Sequence, residues 1–569
     1  MRNATSKESR PQKRKGDKDL GHFPVVIIGA GVNGAGTFRD LSLQGVDCLL
    51  IDKGDFCSGT SAAPSRLIHG GLKYLETGEF RLVKESTLER NLLLRNAPHV
   101  VHPLRVGIPI FSWLGGIWPA LKRMAGLQVR SNKRGALAIK AGLQLYDWYG
   151  RRSRVLPSHE MMSRSQSLHE LPNLSSEVKA TGWYYDAYVS QAERLGYELI
   201  EDGLNANEGS HALNYAELLD HEFGKLLVED QVSGDTLQLE PKVLVNAAGP
   251  WIDFVNDRAG NETNYIGGTK GAHLLLQNPT LHEELDGRMV YYGTSDGRIC
   301  LAYPFMGNIL IGSTDIPVDN PDSVKVDDEE MTYMLKELQQ LFPSIEVSRE
   351  QVVYRYVGVR PLPESDADEP GEVSRDHSLI RDPPNEDRSY PILSLVGGKW
   401  TTFRAFAREV SEEVLNVVGQ SRTEGTKDRP VGGGKGYPED DGDRRQWVNQ
   451  VSEANGFSAG FVGSLLDRYG TTARAIAEHI SEQGRCPLDS LDQYDRGELR
   501  YILENENVVH LSDLLMRRTP IALGGHLSRA VIEETSKIAA ETLEWSDARR
   551  NSEVDSLVKT ARLDHGASL

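Results

Sequence analysis

PVVIIGAGVNGAGTFRDLSLQGVDCLLID, residues 24–52, sets the architecture of this chain. Val25-Val26-Ile27-Ile28 reads as a buried strand, Gly29-Ala30-Gly31-Val32-Asn33-Gly34 as a turn opening a helix, and Cys48-Leu49-Leu50-Ile51 as a second strand ending on Asp52. That order is the fingerprint of a dinucleotide site. Gly29 permits the tight turn, Gly31 lets the backbone approach a pyrophosphate, and Gly34 lets helix and strand pack closely, with Asn33 inside the same turn. Asp52, eighteen residues past Gly34, is placed to accept from a ribose hydroxyl. A merely structural glycine turn would not need this context. The motif alone does not distinguish NAD from FAD.

The chain has 569 residues, 39% of them hydrophobic, enough for two to four domains with ordinary cores. Its four cysteines, Cys48, Cys57, Cys300 and Cys486, contain no CxxC pair, so neither a disulfide framework nor a metal site is expected. A net charge of -18 opposes non-specific binding to nucleic acid. Residues 1–23 mix charged and small polar groups without an apolar stretch, so they do not read as a secretory signal. They read as a disordered arm, with a transit peptide as the alternative.

After Asp52, small residues crowd the run from Gly54 to Glu76. Such a loop suits a cofactor ring lying against backbone, with Thr60, Ser61, Ser65, Leu67, His69, Gly70 and Gly71 as contacts. The strand Val243-Leu244-Val245-Asn246 ends in Ala247-Ala248-Gly249-Pro250-Trp251, again offering bare backbone at Ala248 and Gly249, on the adenosine side. Residues 265–350 alternate apolar and polar with turn signals, which predicts an antiparallel sheet forming the substrate domain. Between Leu121 and Arg154 nine basic residues face one acid, Asp147, next to an apolar aromatic run that Pro109 and Pro119 make too broken to span a membrane. The segment 106–154 is therefore expected at an anionic membrane surface, with a solvated basic helix over an ordinary core as the competing reading. Residues 425–443 read as a linker and 444–569 as a helical domain with a polar tail. Gly432-Gly433-Gly434-Lys435-Gly436 lacks the spacing of a phosphate loop.

The run TSAAPSRLIHGGLKYLETGEFRLVKE after a GxGxxG strand resembles the FAD-dependent glycerol-3-phosphate dehydrogenases. APHVVHPL (97–104), LVNAAGPW (244–251), KGAHLLL (270–276), IGSTD (311–315), VGVRPL (357–362), SRDH (374–377), GGKWTTFR (397–404), RYG (468–470) and LLMRRTPI (514–521) follow in the family's order. The resemblance implies an α/β fold, α+β overall: a glutathione-reductase-type FAD-binding Rossmann domain, an antiparallel-sheet substrate domain and a helical C-terminal domain. Residues 24–424 would form the oxidoreductase region, with FAD-binding segments at about 24–104, 181–261 and 351–424, and substrate- or membrane-facing segments at about 105–180 and 262–350.

The resemblance also implies the chemistry: FAD as cofactor, sn-glycerol 3-phosphate as substrate, a membrane quinone as second acceptor, and a cytoplasmic enzyme on the inner face of the cell membrane. A homodimer is compatible with the pattern. Gly398, Lys399, Thr401 and Thr402 open a helix toward the flavin edge, where free N–H groups stabilise developing charge. Lys73, Tyr74, Arg360, Arg375 and Lys399 match the cationic substrate pocket, since a phosphomonoester dianion needs converging cations. Lys73 stands where the family carries arginine, and Gln191-Ala192-Glu193 where it carries acid-Ala-Arg. His273 and His69 are the candidate bases, His273 favoured for proton removal and His69 for the flavin side, with Arg360 beside them. An oxidase using oxygen is the near alternative, and a non-catalytic flavin-binding membrane scaffold the alternative of another class.

Overall fold

Val25–Ile28 lies at the heart of a six-stranded sheet, with Cys48–Ile51 on one side and Val243–Asn246 on the other, all three parallel. His211–Leu213 extends it beyond Cys48–Ile51, Ile392–Val396 beyond Val243–Asn246, and Ser378–Asp382 closes that edge antiparallel. The central strands are buried at every position, which is why each is a short run dominated by Val, Ile and Leu, with Cys48 opening one and Asn246 closing another. This computed structural model describes residues 23–75, 79–113, 136–150, 155–294, 296–365 and 376–569.

Helices cover one face of this sheet. Val32–Leu43 packs between Ala192–Ala206 and Phe403–Val418. Small residues set the spacing: a Cβ on Gly36 would stand 2.8 Å from the Phe403 ring, and one on Gly203 2.7 Å from Phe38. On the other face lies an antiparallel sheet of Ala216–Glu222, Lys225–Asp230 and Asp235–Leu239, whose Leu218, Leu226, Val228 and Leu239 share a core with Val26, Ile28, Leu49 and Ile51.

The second large sheet has ten strands and is mixed. Thr269–Leu276 pairs antiparallel with Asn308–Gly312 and Val352–Arg360; Ile299–Phe305 and Met289–Gly293 continue outward. Met289–Gly293 then pairs in parallel with Val101–Ile110, which pairs antiparallel with Ala180–Val189. The antiparallel sheet expected over 265–350 is present from Thr269 to Pro317 as part of a larger one, whereas Asp328–Leu341, in the remainder of that range, is a helix. Val106–Ile110, grouped by sequence with the membrane-facing segment, lies inside this sheet with all five residues buried. Most of the remaining basic stretch falls outside the described residues. Ala180–Val189, grouped by sequence with the cofactor-binding segments, also belongs to this sheet.

The C-terminal helices, from Asp441–Asn455 to Asp547–Leu563, do not form a core of their own. Leu465, Ile502, Leu514 and Leu557 share one apolar cluster with Tyr303, Leu310 and Tyr354 of the ten-stranded sheet. The stretch read as a linker is packed: Val431 is buried, Arg39 donates to Pro430 O at 2.7 Å, and Lys435 bonds Asp202 at 2.5 Å. Among the described residues no helix is long and apolar enough to cross a membrane, and no group of three His, Cys, Asp or Glu is arranged to hold a metal ion.

Candidate functional site

The first turn is built as its sequence demands. Gly29 takes φ +99°, and a Cβ there would sit 2.6 Å from Ala247 O; a Cβ on Gly34 would collide with the Gly29 carbonyl oxygen. Only glycine fits either position. Asp52 receives the Ala30 N–H at 2.7 Å and the Gly54 N–H at 2.9 Å. Burial pushes its carboxyl up to about 6, against the pull of those two N–H donors. Ser61 reaches back to the helix start, its hydroxyl accepting from Val32 N–H at 2.9 Å. Ala248 N–H donates to Asn246 Oδ1 at 3.1 Å, and Gly249 follows at φ +60°.

The second glycine turn meets the first. Gly397 and Gly398 have φ +77° and +89°, and Asn33 Nδ2 donates to Gly397 O at 3.2 Å. Thr401 Oγ1 accepts the His69 N–H at 3.2 Å, which joins this turn to the 69–71 loop. Lys399 bonds the Ser86 hydroxyl at 2.8 Å and lies 4.4 Å over the Tyr74 ring. Gly70 N–H is gripped by Tyr146 Oη at 2.9 Å and Asp186 Oδ1 at 3.0 Å, and Arg90 neutralises that carboxylate at 2.8 Å.

His273 stands on Thr269–Leu276, opposite Gly312 on one neighbour and Tyr356 on the other. Its Nε2 bonds the Ser65 hydroxyl at 2.8 Å and its ring stacks on Tyr356, centroids 5.0 Å apart. Gly312 makes room, since any Cβ there would strike the imidazole. Burial, reinforced by the Arg360 and Arg66 cations, pulls His273 down to about 3, so it is neutral near pH 7. Arg360, at the end of Val352–Arg360, donates to Asp315 Oδ1 and Ser313 Oγ, both at 3.0 Å. Thr60 Oγ1 donates to Val359 O at 2.6 Å, tying the small-residue loop to the Arg360 strand. Leu67 lies half-buried in the short strand beside Tyr188.

The structure therefore brings Ser65, His273 and Arg360 to one wall and His69, Tyr74, Lys399 and Thr401 to another. Arg375 and the Lys73 side chain fall outside the described residues. Sequence reasoning missed Arg66 and Glu193, a buried bidentate pair at 2.6 and 3.0 Å. It also missed Tyr356, Asp315, Tyr146 and Asp186. Asp315 closes the IGSTD run, whereas no local pattern relates Arg66 to Glu193, 127 residues away, or marks Tyr356, Tyr146 and Asp186.

The cradle fits a flavin dinucleotide. Asn33 Oδ1, Thr402 Oγ1 and His273 Nδ1 are buried polar atoms left without a hydrogen-bond partner, all within these turns and walls. Two glycine turns, an acid at the end of the second strand and a neutral histidine on the wall that carries Arg360 fit a flavin-dependent oxidoreductase. Residues 24–412 match the FAD dependent oxidoreductase family model, and residues 424–550 match the C-terminal domain of alpha-glycerophosphate oxidase. The chain belongs to the family of FAD-dependent glycerol-3-phosphate dehydrogenases, and its cofactor is FAD.

Among its relatives, a glycerol-3-phosphate dehydrogenase of Synechocystis sp. is 33% identical over 524 residues, covering 88% of this chain and 89% of that protein. The aerobic glycerol-3-phosphate dehydrogenase of Escherichia coli is 30% identical, covering 87% and 93%. The D-erythritol 1-phosphate dehydrogenase of Brucella abortus is 29% identical, covering 92% and 97%. The glycerol-3-phosphate dehydrogenase structure from Bacillus halodurans, complexed with FAD, superposes with a TM-score of 0.72 at 23% identity, covering 96% and 95%, and shows the same fold.

Proposed function

We propose that this chain oxidises sn-glycerol 3-phosphate to dihydroxyacetone phosphate and passes the electrons to a membrane quinone. The observation that carries the reading is a neutral His273, hydrogen-bonded and stacked in place, on the wall that carries the Arg360 guanidinium. Arg360, Lys399, Lys73 and Arg375 hold the phosphate, and Tyr74 lies under Lys399. Bound FAD supplies the acceptor for the hydride that leaves the carbinol carbon. His273 takes the hydroxyl proton, so two electrons and two protons leave the substrate in balance. Burial is the larger cause of the depressed basicity of His273; a phosphate dianion beside Arg360 offsets the smaller part that this cation adds and makes the imidazole a better base once substrate is bound.

Asp52 accepts from the adenosine ribose, Gly29, Gly31, Asn33 and Gly34 frame the pyrophosphate, and Ala248 and Gly249 lie toward the adenosine. The loop from Thr60 through Gly71, with Ser61, Ser65, Leu67 and His69, and the turn Gly398-Lys399 with Thr401 and Thr402 frame the flavin. The basic stretch 121–154 would seat the enzyme peripherally on the inner face of the cell membrane, within reach of quinone.

Anaerobic glycerol 3-phosphate should bleach the flavin absorbance; an unchanged spectrum would remove the catalytic reading. The relative named for erythritol phosphate makes D-erythritol 1-phosphate the competing substrate to assay, and a higher kcat/KM for it would overturn the assignment to glycerol 3-phosphate. Stoichiometric hydrogen peroxide during aerobic turnover would assign oxygen rather than quinone as the acceptor.

A further inference from the structure

Three residues past Asp52, the Asp55 side chain points away from the cofactor cradle and into the C-terminal helices. It is 1% exposed. Its Oδ2 accepts from Arg517 Nε at 2.5 Å and Arg518 Nη1 at 2.8 Å; its Oδ1 accepts from Arg518 Nη2 at 2.8 Å and Asn214 Nδ2 at 3.0 Å. Arg517 also donates to Asp513 at 2.6 Å, and Asp513 takes the Tyr215 hydroxyl at 2.6 Å. Two cations face two anions, so the quartet is neutral despite its burial. Arg518 Nε donates to Glu506 O at 2.9 Å, which fixes the plane of its fork.

The other side of the same loop is tied to the dinucleotide turn. Gly54 N–H donates to Asp52 Oδ1 at 2.9 Å, and Cys57 N–H donates to Ala30 O at 3.1 Å. The backbone of the next strand holds it as well, Ala216 N–H donating to Asp52 O at 2.7 Å and Tyr215 N–H to Gly54 O at 2.9 Å. Between Asp52 and Cys57 the chain is thus spanned from the phosphate turn to residues more than 450 positions away.

We infer that Arg517 and Arg518 are positioning residues of the cofactor site: through Asp55 they fix the 52–57 loop, and with it the Asp52 carboxylate, for the adenosine ribose of FAD. The C-terminal helical region therefore sets cofactor affinity, a role its own sequence pattern does not announce. A planar bidentate fork imposes an orientation that an apolar contact would not. A loop already ordered does not charge its ordering entropy against cofactor binding. The inference rests on the ribose role proposed for Asp52.

The test is FAD release from the holoenzyme, followed by the rise in flavin fluorescence after dilution. Asp55→Asn keeps the shape and removes the charge, and should speed release by roughly 10-fold or more. Arg518→Lys keeps the charge and loses the fork, and should speed it by about 3-fold; this variant carries the test if Asp55→Asn does not fold. Glu534→Ala loosens the C-terminal region elsewhere, where Glu534 accepts from Ser490 N–H at 2.9 Å and Arg496 Nη2 at 3.0 Å, and should release FAD at the parental rate. Parental release in Asp55→Asn or Arg518→Lys overturns the inference, as does release in Glu534→Ala as fast as in Asp55→Asn. Asp52→Asn separates the two assignments: parental release there retires the ribose role of Asp52, whereas fast release there with slow release in folded Asp55→Asn retires the role of Arg517 and Arg518 alone.

Discussion

His273 is kept neutral by its surroundings, and that has two measurable sides. As the proposed base, its loss in His273→Asn should cut the rate of flavin bleaching by about 10²–10⁴-fold, with FAD retained. As a buried group it also links stability to pH. Its folded value, about 3, lies below its ordinary value, so the unfolded chain binds the proton first as pH falls. The stabilisation is complete above about pH 6.5 and is lost between there and about 3. From this residue alone the parent should lose about 2 kcal/mol between pH 7 and pH 5, and His273→Asn should not; denaturant midpoints at the two pH values check it. Arg360→Ala should raise KM for glycerol 3-phosphate by about 10²-fold or more while FAD stays bound, because a bidentate charge-assisted contact is removed. Normal kinetics would take Arg360 out of the pocket.

At the scale of elements, the loop between Cys48–Ile51 and Leu67–Ile68 is held by long-range polar contacts more than by its own propensities. Arg66 adopts φ +57° and places its guanidinium on Glu193, at the start of Ala192–Ala206. Glu193→Gln should destabilise the fold by about 3–5 kcal/mol, since it strands a buried cation. The double variant Arg66→Met, Glu193→Leu should recover most of that loss, and equal midpoints for single and double variants would refute the pairing argument. These contacts mark the limit of what the sequence discloses. The fingerprint from Pro24 to Asp52 was legible because strand, turn, helix and acid are local patterns, and Gly397-Gly398 after a buried strand was legible for the same reason. Glu193, 127 residues from Arg66, has no periodic relation to it. Val106–Ile110 is a continuous apolar run, and periodicity cannot tell a central strand from a surface-seeking segment without its partners.

Across the whole molecule, the acidic balance of -18 leaves the stretch Leu121–Arg154 as a concentrated basic exception. Replacing Lys122, Arg123, Lys133 and Arg134 with alanine should weaken co-sedimentation with anionic vesicles by about 1 kcal/mol per charge brought to the surface, and unchanged sedimentation would discard the membrane reading. The fold class was readable because the fingerprint and the alternating sheet pattern each sit within one segment. The merging of the C-terminal helices with the ten-stranded sheet was not, because an amphipathic helix shows that it has an apolar face without showing what covers it. The six-stranded sheet also bears on the protein's manufacture. Val25–Ile28 is translated early, yet its neighbour Val243–Asn246 and the next strand, Ile392–Val396, emerge far later. At ordinary elongation rates of ~5–20 residues per second, the first strand waits roughly 20–70 s for the last parallel strand of its sheet. Cofactor capture is accordingly a late event in the life of each nascent chain, and until then the exposed Val25-Val26-Ile27-Ile28 edge is a segment that chaperones have reason to guard.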